Sequence, residues 1–231
     1  MSRVALPPIA ALIFDIDGTI IDSMPYHGRS WPLMLARHGI GDEHMEMLRQ
    51  SAGRTGIELM RDIFGPDLDD ERAHALVDEK ESLYREMYRP HLREVPGFVA
   101  FAREAKQAGL RLALGTAGDA KNIAFAIEGL ALPDFFDAAV GAHDVKRGKP
   151  EPDIFLEAAR RMDVAPGQCV VFEDAPLGIE AALRAGMRAV ALTTTEASEL
   201  FLPFAHVVRV CPDYRGLSIS DLLQRCDTPP A

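Results

Sequence analysis

Two aspartates that follow an apolar run are the residues of this chain whose spacing most clearly indicates chemistry. Asp15 directly follows residues 9–14, which are all apolar, and Asp17 lies two residues further on. In an extended chain, residues i and i+2 face the same side, so both carboxylates face one region. Two like charges this close are unfavourable, so the pair predicts a divalent metal, a raised pKa on one member, or both. A turn or capping pair is the alternative, because aspartate is common in turns.

Polar residues at the ends of other apolar runs favour a functional site over an isolated turn. Thr116 precedes a predicted helix, where its hydroxyl suits a phosphate oxygen. Lys149 precedes Pro150 at the start of another predicted helix and offers a fixed positive charge. Glu173 and Asp174 end a further strand, and their carboxylates suit magnesium as hard oxygen ligands. Ligand sites in open α/β sheets lie at such carboxyl ends of strands.

Apolar runs alternate with helical patterns along most of the chain. Strands are predicted at residues 9–14, 110–114, 169–172, 187–192 and 206–210. Helices are predicted between them at residues 98–108, 119–130, 151–162 and 176–185. This alternation implies a parallel sheet that helices cover on both faces. The predicted fold class is therefore α/β, with a doubly wound parallel sheet.

One region, residues 24–92, breaks the alternation. It has helical patterns and no convincing strand, with helices expected at residues 26–38, 43–49, 57–64 and 70–88. We therefore predict an α-helical cap domain at 24–92, inserted into a core domain made of residues 1–23 and 93–231. The tail at residues 228–231 is expected to be frayed.

The composition excludes several classes of protein. The 231 residues carry a formal net charge of −10, which argues against binding to nucleic acid or to an anionic membrane. No apolar run reaches the ~18 residues that suggest a membrane span. The three cysteines form no Cys-x-x-Cys pair and are expected to be reduced thiols. We expect a cytoplasmic protein, a monomer or weak dimer, with no nucleic-acid or membrane partner.

Taken in order, the four motifs resemble those of the haloacid dehalogenase superfamily. They are Asp15-x-Asp17-Gly18-Thr19, Thr116, Lys149-Pro150 and Glu173-Asp174. The resemblance covers roughly residues 9–192 and implies a Rossmann-like core with a small helical cap. Within the insert, the run from Tyr26 to Trp31 and Lys80 resemble the β-phosphoglucomutase and sugar-phosphatase branch.

The resemblance implies a magnesium-dependent phosphotransferase. Asp15 would be the nucleophile and would form an aspartyl-phosphate. Asp17 would be the general acid and base. Magnesium would be held by the Asp15 carboxylate, the Asp17 backbone carbonyl and Asp174. Glu173 would orient a metal-bound water from a second shell. Thr116 would help to clamp the phosphoryl group.

Further roles follow from the same resemblance. Lys149 would be the second member of the phosphoryl clamp. His27, Arg54, Lys80 and Ala117 would contact the substrate. Alternatives remain for the first three: a water-facing helix histidine, a turn arginine, and a solvated lysine in an ion-pair ladder.

The predicted function is hydrolysis of a small phosphorylated metabolite, specifically a sugar phosphate. The alternatives are a β-phosphoglucomutase-like isomerase, a pyrophosphatase, and a catalytically silent binding protein on the same fold. Two departures from the mutase pattern favour the phosphatase. Between Ala117 and Lys121 this chain has two more residues than the mutases, Gly118 and Asp119. Asp119 would repel a second phosphate if it faced the site. The mutase cap arginine also falls at Gly56, with Arg54 two positions earlier.

Overall fold

The computed structural model describes residues 8–226, and its centre is a parallel sheet of six strands in the order β3-β2-β1-β4-β5-β6. The strands are β1 Ala11–Phe14, β2 Arg111–Gly115, β3 Ala138–Val140, β4 Cys169–Glu173, β5 Arg188–Leu192 and β6 Val207–Cys211. The predicted α/β fold with a doubly wound parallel sheet is confirmed. The three-residue strand β3 was not predicted. The expectation for residues 228–231 lies outside the described part of the chain.

Helices follow the strands and also fill the insert. They are α1 Met24–Arg37, α2 Met45–Arg49, α3 Gly56–Phe64, α4 Asp70–Tyr88, α5 Phe98–Gln107, α6 Ala120–Gly129, α7 Asp153–Arg161, α8 Pro176–Arg184 and α9 Ile219–Cys226. Apolar side chains of α5, α6 and α9 join the core on one face of the sheet, and those of α7 and α8 join the core on the other. Eight of these helices lie close to their predicted ranges, whereas α9 was not predicted.

The central strand β1 is buried on both faces. Leu12 and Phe14 belong to one core cluster, and Ala11 and Ile13 belong to the other. This division follows from the alternation of side chains along a strand, and it explains why the run is wholly apolar. The Phe14 ring stacks on the ring of Phe172, with 4.8 Å between their centroids. The carboxyl end of β1 is therefore fixed by packing on both sides.

The insert has a hydrophobic cluster of its own. Helix α4 packs against α1 and α3. The buried members of the cluster are Trp31, Met34, Leu35, Leu48, Leu59, Met60 and Leu76. Helix α3 begins with a capping box, in which Thr55 and Glu58 satisfy each other's backbone N–H groups. The limits of the cap domain at residues 24 and 92 stay a prediction.

Helix length and cysteine pairing are two further features of the described residues. Helix α4 is the longest at 19 residues and is rich in charged side chains. Across residues 8–226, no helix is both long enough and apolar enough to cross a membrane. Cys169, Cys211 and Cys226 are buried free thiols.

Candidate active site

A cavity of roughly 290 Å³ lies between the helical insert and the carboxyl edge of the sheet. Residues of both parts line it, and the predicted site residues among them are Asp15, Asp17, His27, Arg54, Lys80, Thr116, Ala117, Glu173 and Asp174. Lys149, the remaining predicted residue, contacts Asp15 directly. A β-carbon built on Gly53 would lie 3.5 Å from the Lys149 side chain, so the turn before α3 reaches the core. The structure thus brings all ten predicted residues together.

The strand register explains this convergence. Phe14 pairs with Leu114 on one side and with Phe172 on the other, so β1, β2 and β4 end at the same level. Asp15 follows the first of these strands, and Thr116 follows the second after Gly115. The strand order reverses direction between β1 and β4, which is the switch point where ligands bind in such sheets.

Lys149 joins two carboxylates beneath the cavity. Its Nζ donates to Asp15 Oδ1 and to Glu173 Oε1, each at 2.6 Å, and its side chain is 0% exposed. Burial disfavours a charged lysine, but the two carboxylates raise the pKa of Lys149 above its usual range. Burial raises the pKa of Asp15 to about 7, with Lys149 opposing the rise and Glu173 adding to it. The lysine is therefore a permanently charged neighbour of Asp15.

Both carboxylate oxygens of Glu173 accept hydrogen bonds from the protein. While Oε1 accepts from Lys149, Oε2 accepts the backbone N–H groups of Asp174 and Ala175, both at 2.9 Å. These N–H groups lie just before α8, where a carboxylate is favoured by the helix dipole. A β-carbon at Gly178 would overlap the Glu173 carboxylate. Only glycine leaves room for the glutamate at this position.

Replacing Gly178 with alanine is therefore expected to destabilise the fold. The added methyl group must displace the Glu173 side chain, and overpacking of this kind costs about 1–3 kcal/mol. Thermal unfolding of Gly178→Ala checks the size of the loss. In a Glu173→Ala background the same substitution should cost much less, because the overlapping carboxylate is gone. An equal loss in both backgrounds would contradict this account of Gly178.

Asp174 is the second buried carboxylate beside Asp15. Thr19 Oγ1 donates to its Oδ1 at 3.1 Å, and Thr195 Oγ1 donates to its Oδ2. Burial raises the pKa of Asp174 well above its usual range, and the nearby carboxylates of Glu173 and Asp15 add to the rise. The two hydroxyl groups fix the orientation of the carboxylate and leave lone pairs on both of its oxygens.

The donor set around Asp15 and Asp174 fits a hard divalent cation. Gly18, at φ 76°, packs so closely that a β-carbon there would overlap the Asp174 carboxylate, which places the backbone after Asp17 beside that group. Two buried carboxylates and a nearby backbone carbonyl are all oxygen donors, as magnesium prefers. Within residues 8–226, no three His, Cys, Asp or Glu side chains are grouped as a metal site. The proposed magnesium ligands include only two such side chains, Asp15 and Asp174, together with a backbone carbonyl, so they do not form a group of three.

Three side chains surround the Asp17 carboxylate: Ser23, just before the insert, and His27 and Tyr84, within it. Its Oδ1 accepts from Ser23 Oγ at 2.6 Å and from Tyr84 OH at 3.1 Å. His27 Nε2 lies 3.0 Å from the same oxygen, although its N–H is not aligned for a hydrogen bond. Burial opposes ionisation, but His27 and the Ser23 hydrogen bond hold the pKa of Asp17 well below its usual range. Asp17 is therefore a carboxylate in this state.

Lys80 determines which nitrogen of His27 carries the proton. Lys80 Nζ lies 2.6 Å from His27 Nδ1 and also donates to Glu81 Oε1 at 2.8 Å. An ammonium group can only donate, so Nδ1 accepts and the proton of a neutral His27 is on Nε2, facing Asp17. Lys80 is 3% exposed, and the His27 ring stacks on Tyr84 at 3.7 Å between centroids. These contacts exclude a water-facing histidine and a solvated lysine.

Two other predicted features have different surroundings from those expected. Arg54 lines the cavity, but its NH1 lies 2.7 Å from Asp62 Oδ2, so its charge is already paired. Asp119 does not face the site; it caps α6 by accepting the N–H of Asn122 at 2.8 Å. The conditional argument that Asp119 repels a second phosphate therefore does not hold. Thr116 Oγ1 accepts the N–H of Gly118 at 3.1 Å.

Several residues of the site were missed by the sequence interpretation. Asn122 on α6 donates to Glu81 Oε2 at 2.7 Å and accepts from Arg85 at 2.6 Å, which joins the core to α4. Other missed residues contact predicted site residues directly: Thr19, Ser23, Asp62, Glu81, Tyr84 and Thr195. One signal was available: Lys80 and Tyr84 continue the buried stripe of α4, and a lysine in such a stripe needs a partner.

The fold and this geometry agree with the matches to known proteins. Residues 9–186 match the family described as haloacid dehalogenase-like hydrolase. The chain belongs to that family. It is similar to the β-phosphoglucomutase of Clostridium difficile, with a TM-score of 0.79, 26% identity, and coverage of 94% of this chain and 97% of that one. The predicted branch of the superfamily is thereby confirmed.

Two curated relatives narrow the class. Fructose-1-phosphate phosphatase YqaB of Escherichia coli is 37% identical over 183 residues, covering 78% of this chain and 95% of the relative. Hexitol phosphatase A of the same organism is 34% identical over 184 residues, covering 78% and 81%. Both relatives are named phosphatases, which confirms the predicted enzyme class, a phosphoric monoester hydrolase.

Proposed function

We propose that this enzyme is a magnesium-dependent phosphatase of a sugar phosphate and works through an aspartyl-phosphate on Asp15. The observation that carries the proposal is the buried Lys149 ammonium, which holds Asp15 Oδ1 at 2.6 Å on the cavity wall. That contact leaves Oδ2 of Asp15 for attack on phosphorus. The similarity to a fructose-1-phosphate phosphatase and a hexitol phosphatase supports a sugar or sugar-alcohol phosphate as the substrate.

The chemistry divides between the two aspartates of the first motif. As Asp15 bonds to phosphorus, the bond to the leaving oxygen breaks and that oxygen takes a proton from Asp17. A water molecule then returns a proton to Asp17 and attacks phosphorus, which frees Asp15 and phosphate. Asp17 is ionised in the absence of substrate, so it must gain its proton on binding. The negative charge of an arriving phosphate raises the pKa of Asp17 and favours this uptake.

The remaining core residues neutralise charge and fix position. The Asp15 carboxylate, the Asp17 backbone carbonyl and Asp174 would hold magnesium, which supplies positive charge to the phosphoryl oxygens. Lys149 and Thr116 bind those oxygens from the protein side. Glu173 keeps Lys149 in place and would orient water around the metal.

The insert is proposed to bind the leaving group. His27 and Lys80 position Asp17 through the contact between their nitrogens, and Arg54 and Ala117 line the space beside it. The cavity volume lies just below the ~300–1,000 Å³ typical of ligand sites, which suits a small metabolite. We place this activity in the cytoplasm because the cysteines are free thiols. A monomer or weak dimer stays a prediction.

A phosphate-release screen with magnesium tests the proposal. The panel contains fructose 1-phosphate, sorbitol 6-phosphate, glucose 6-phosphate, pyrophosphate and β-glucose 1-phosphate. Release from a sugar or sugar-alcohol phosphate is the expected result. Conversion of β-glucose 1-phosphate to glucose 6-phosphate without free phosphate would establish the isomerase instead, and release from pyrophosphate alone would establish a pyrophosphatase.

Removal of the metal is expected to abolish turnover. Without a cation, burial and the neighbouring carboxylates raise the pKa of Asp15 and of Asp174, which favours protonation of the nucleophile, and the substrate phosphate loses its positive partner. Treatment with EDTA should stop phosphate release, and added magnesium should restore it. Magnesium at one hundred times its Kd should also raise the free energy of unfolding by about 2.7 kcal/mol, which is measured as a higher thermal midpoint. Release that persists at the full rate in EDTA would contradict the metal requirement.

A further inference from the structure

Three positively charged side chains line the helical side of the cavity, and each is paired with a carboxylate of the insert. Arg54 lies 2.7 Å from Asp62, measured between NH1 and Oδ2. Lys80 donates to Glu81 at 2.8 Å, and Arg49 contacts Glu46 at 2.9 Å. The positive charge that could attract a second anionic group is therefore balanced within the insert.

We propose that these pairs select substrates whose leaving group is uncharged, and that Asp62 is the main specificity-determining residue among them. This inference rests on the proposed phosphatase function and specifies the substrate further. The enzyme would accept phosphate monoesters of neutral polyols and disfavour the same compounds with a second phosphate or a carboxylate.

Arg54 is the cation whose pairing matters most. Lys80 is 3% exposed and is held by His27 and Glu81, so it is not free to turn towards a ligand. The Arg49 side chain is 66% exposed, so water screens its charge strongly. The Arg54 side chain is 29% exposed and lies just before α3, beside the cavity. A positive charge in this half-buried position attracts an anionic ligand more strongly than an exposed one does, unless a carboxylate is paired with it.

The surface around these cations also suits an uncharged group. The same side of the cavity has an apolar surface that can contact the C–H groups of a polyol. It is formed by Trp31, Met45, Leu48 and Leu59. Glu81 lines the cavity as well, and its pairing with Lys80 leaves no net positive charge there to attract an anion. Neutral hydroxyl groups can hydrogen-bond to both members of an ion pair, whereas a phosphate must displace the carboxylate.

The test compares fructose 1-phosphate with fructose 1,6-bisphosphate, which differ only in the second phosphate. The kcat/KM ratio of bisphosphate to monophosphate is expected to be well below one in the unmodified enzyme. Asp62→Asn should raise this ratio about fivefold, as expected when an exposed ion-pair partner is removed. The gain should shrink at high salt and should disappear when Arg54→Gln is added to Asp62→Asn.

Asp70→Asn is the matched control. Asp70 belongs to the insert and pairs with Arg61, which does not line the cavity, so this variant makes the same charge change without freeing a cavity cation. Its ratio should equal that of the unmodified enzyme. An equal rise in Asp70→Asn and Asp62→Asn, or no rise in either, would overturn the role of Asp62. So would a preference of the unmodified enzyme for the bisphosphate.

A binding measurement separates this inference from the proposed function. Calorimetry with the two fructose phosphates, on Asp15→Asn and on Asp15→Asn with Asp62→Asn, reports preference without turnover. A relative gain for the bisphosphate in the double variant supports the inference even if the unmodified enzyme releases no phosphate. Equal Kd ratios in the two proteins, or no binding of either compound, overturn it.

Discussion

Asp15→Asn is expected to abolish phosphate release, with a loss of about 10⁴-fold or more in kcat. An amide cannot attack phosphorus as a carboxylate does, and among residues 8–226 the carboxylates nearest to Asp15 are already held by other groups, Glu173 by Lys149 and two backbone N–H groups. Asp17 is bound by Ser23 and Tyr84, and Asp174 is bound by Thr19 and Thr195. Phosphate release measured against the unmodified enzyme on the same substrate checks the loss.

The fold of Asp15→Asn should survive. Asparagine has the shape of aspartate, and its carbonyl oxygen can still accept the hydrogen bond from Lys149. We therefore expect the thermal midpoint to change by no more than a few degrees. Asp134→Asn is a suitable control. Asp134 is exposed on the surface of the core domain, and its φ of 55° is one that asparagine also tolerates. Turnover by Asp15→Asn within tenfold of this control would contradict the nucleophile assignment.

The sheet could be predicted because its strands carry a local signal. The run ending at Phe14 is apolar at every position, since the strand is covered on both faces. By contrast, β3 has only the three residues Ala138–Val140, too few to show any pattern. Helix α9 at Ile219–Cys226 was missed although Ser218, directly before it, is a helix-capping residue and accepts the N–H of Asp221. Length explains why β3 was missed but not why α9 was, since the shorter helix α2 at Met45–Arg49 was predicted.

The motif aspartates, Thr116 and Glu173 could be predicted because they stand at the ends of such strands, whereas Lys149, in the loop before α7, was identified from Lys149-Pro150. Their partners could not, because those contacts join distant parts of the chain. Thr19 and Asp174 are 155 residues apart, and Tyr84 and Asp17 are 67 apart. A serine, threonine or tyrosine has no spacing that identifies it as the partner of a particular carboxylate.

The charged residues of the insert show the same limit. The sequence places Lys80 on a helix rich in charge and leaves open whether it faces water. Burial decides the question, because a lysine that is 3% exposed needs hydrogen-bond acceptors within the protein. Here the acceptors are His27 and Glu81. For Asp119 the sequence suggested a repulsive charge, whereas the local geometry uses it as a helix cap. Side-chain direction, and not residue type, separates these outcomes.

Lys149→Met is expected to reduce both turnover and stability. Turnover should fall by about 10³-fold, the scale of losing one fixed donor aimed at the transition-state charge. The free energy of unfolding should fall by about 3–5 kcal/mol, because removing one member of a buried ionic cluster leaves its partners uncompensated. Those partners are Asp15 and Glu173, both bound by the lysine at 2.6 Å. Phosphate release and urea unfolding measure the two losses separately.

A second substitution distinguishes the two roles of the lysine. In Lys149→Met with Glu173→Gln, one uncompensated carboxylate is replaced by a neutral amide whose oxygen can still accept the N–H groups of Asp174 and Ala175. Much of the lost stability should therefore return, while turnover stays about 10³-fold low because the lysine ammonium no longer faces the phosphoryl group. If turnover returned together with stability, Lys149 would act only by balancing the charge of Glu173. If neither returned, the uncompensated charge would not be the cause of the instability.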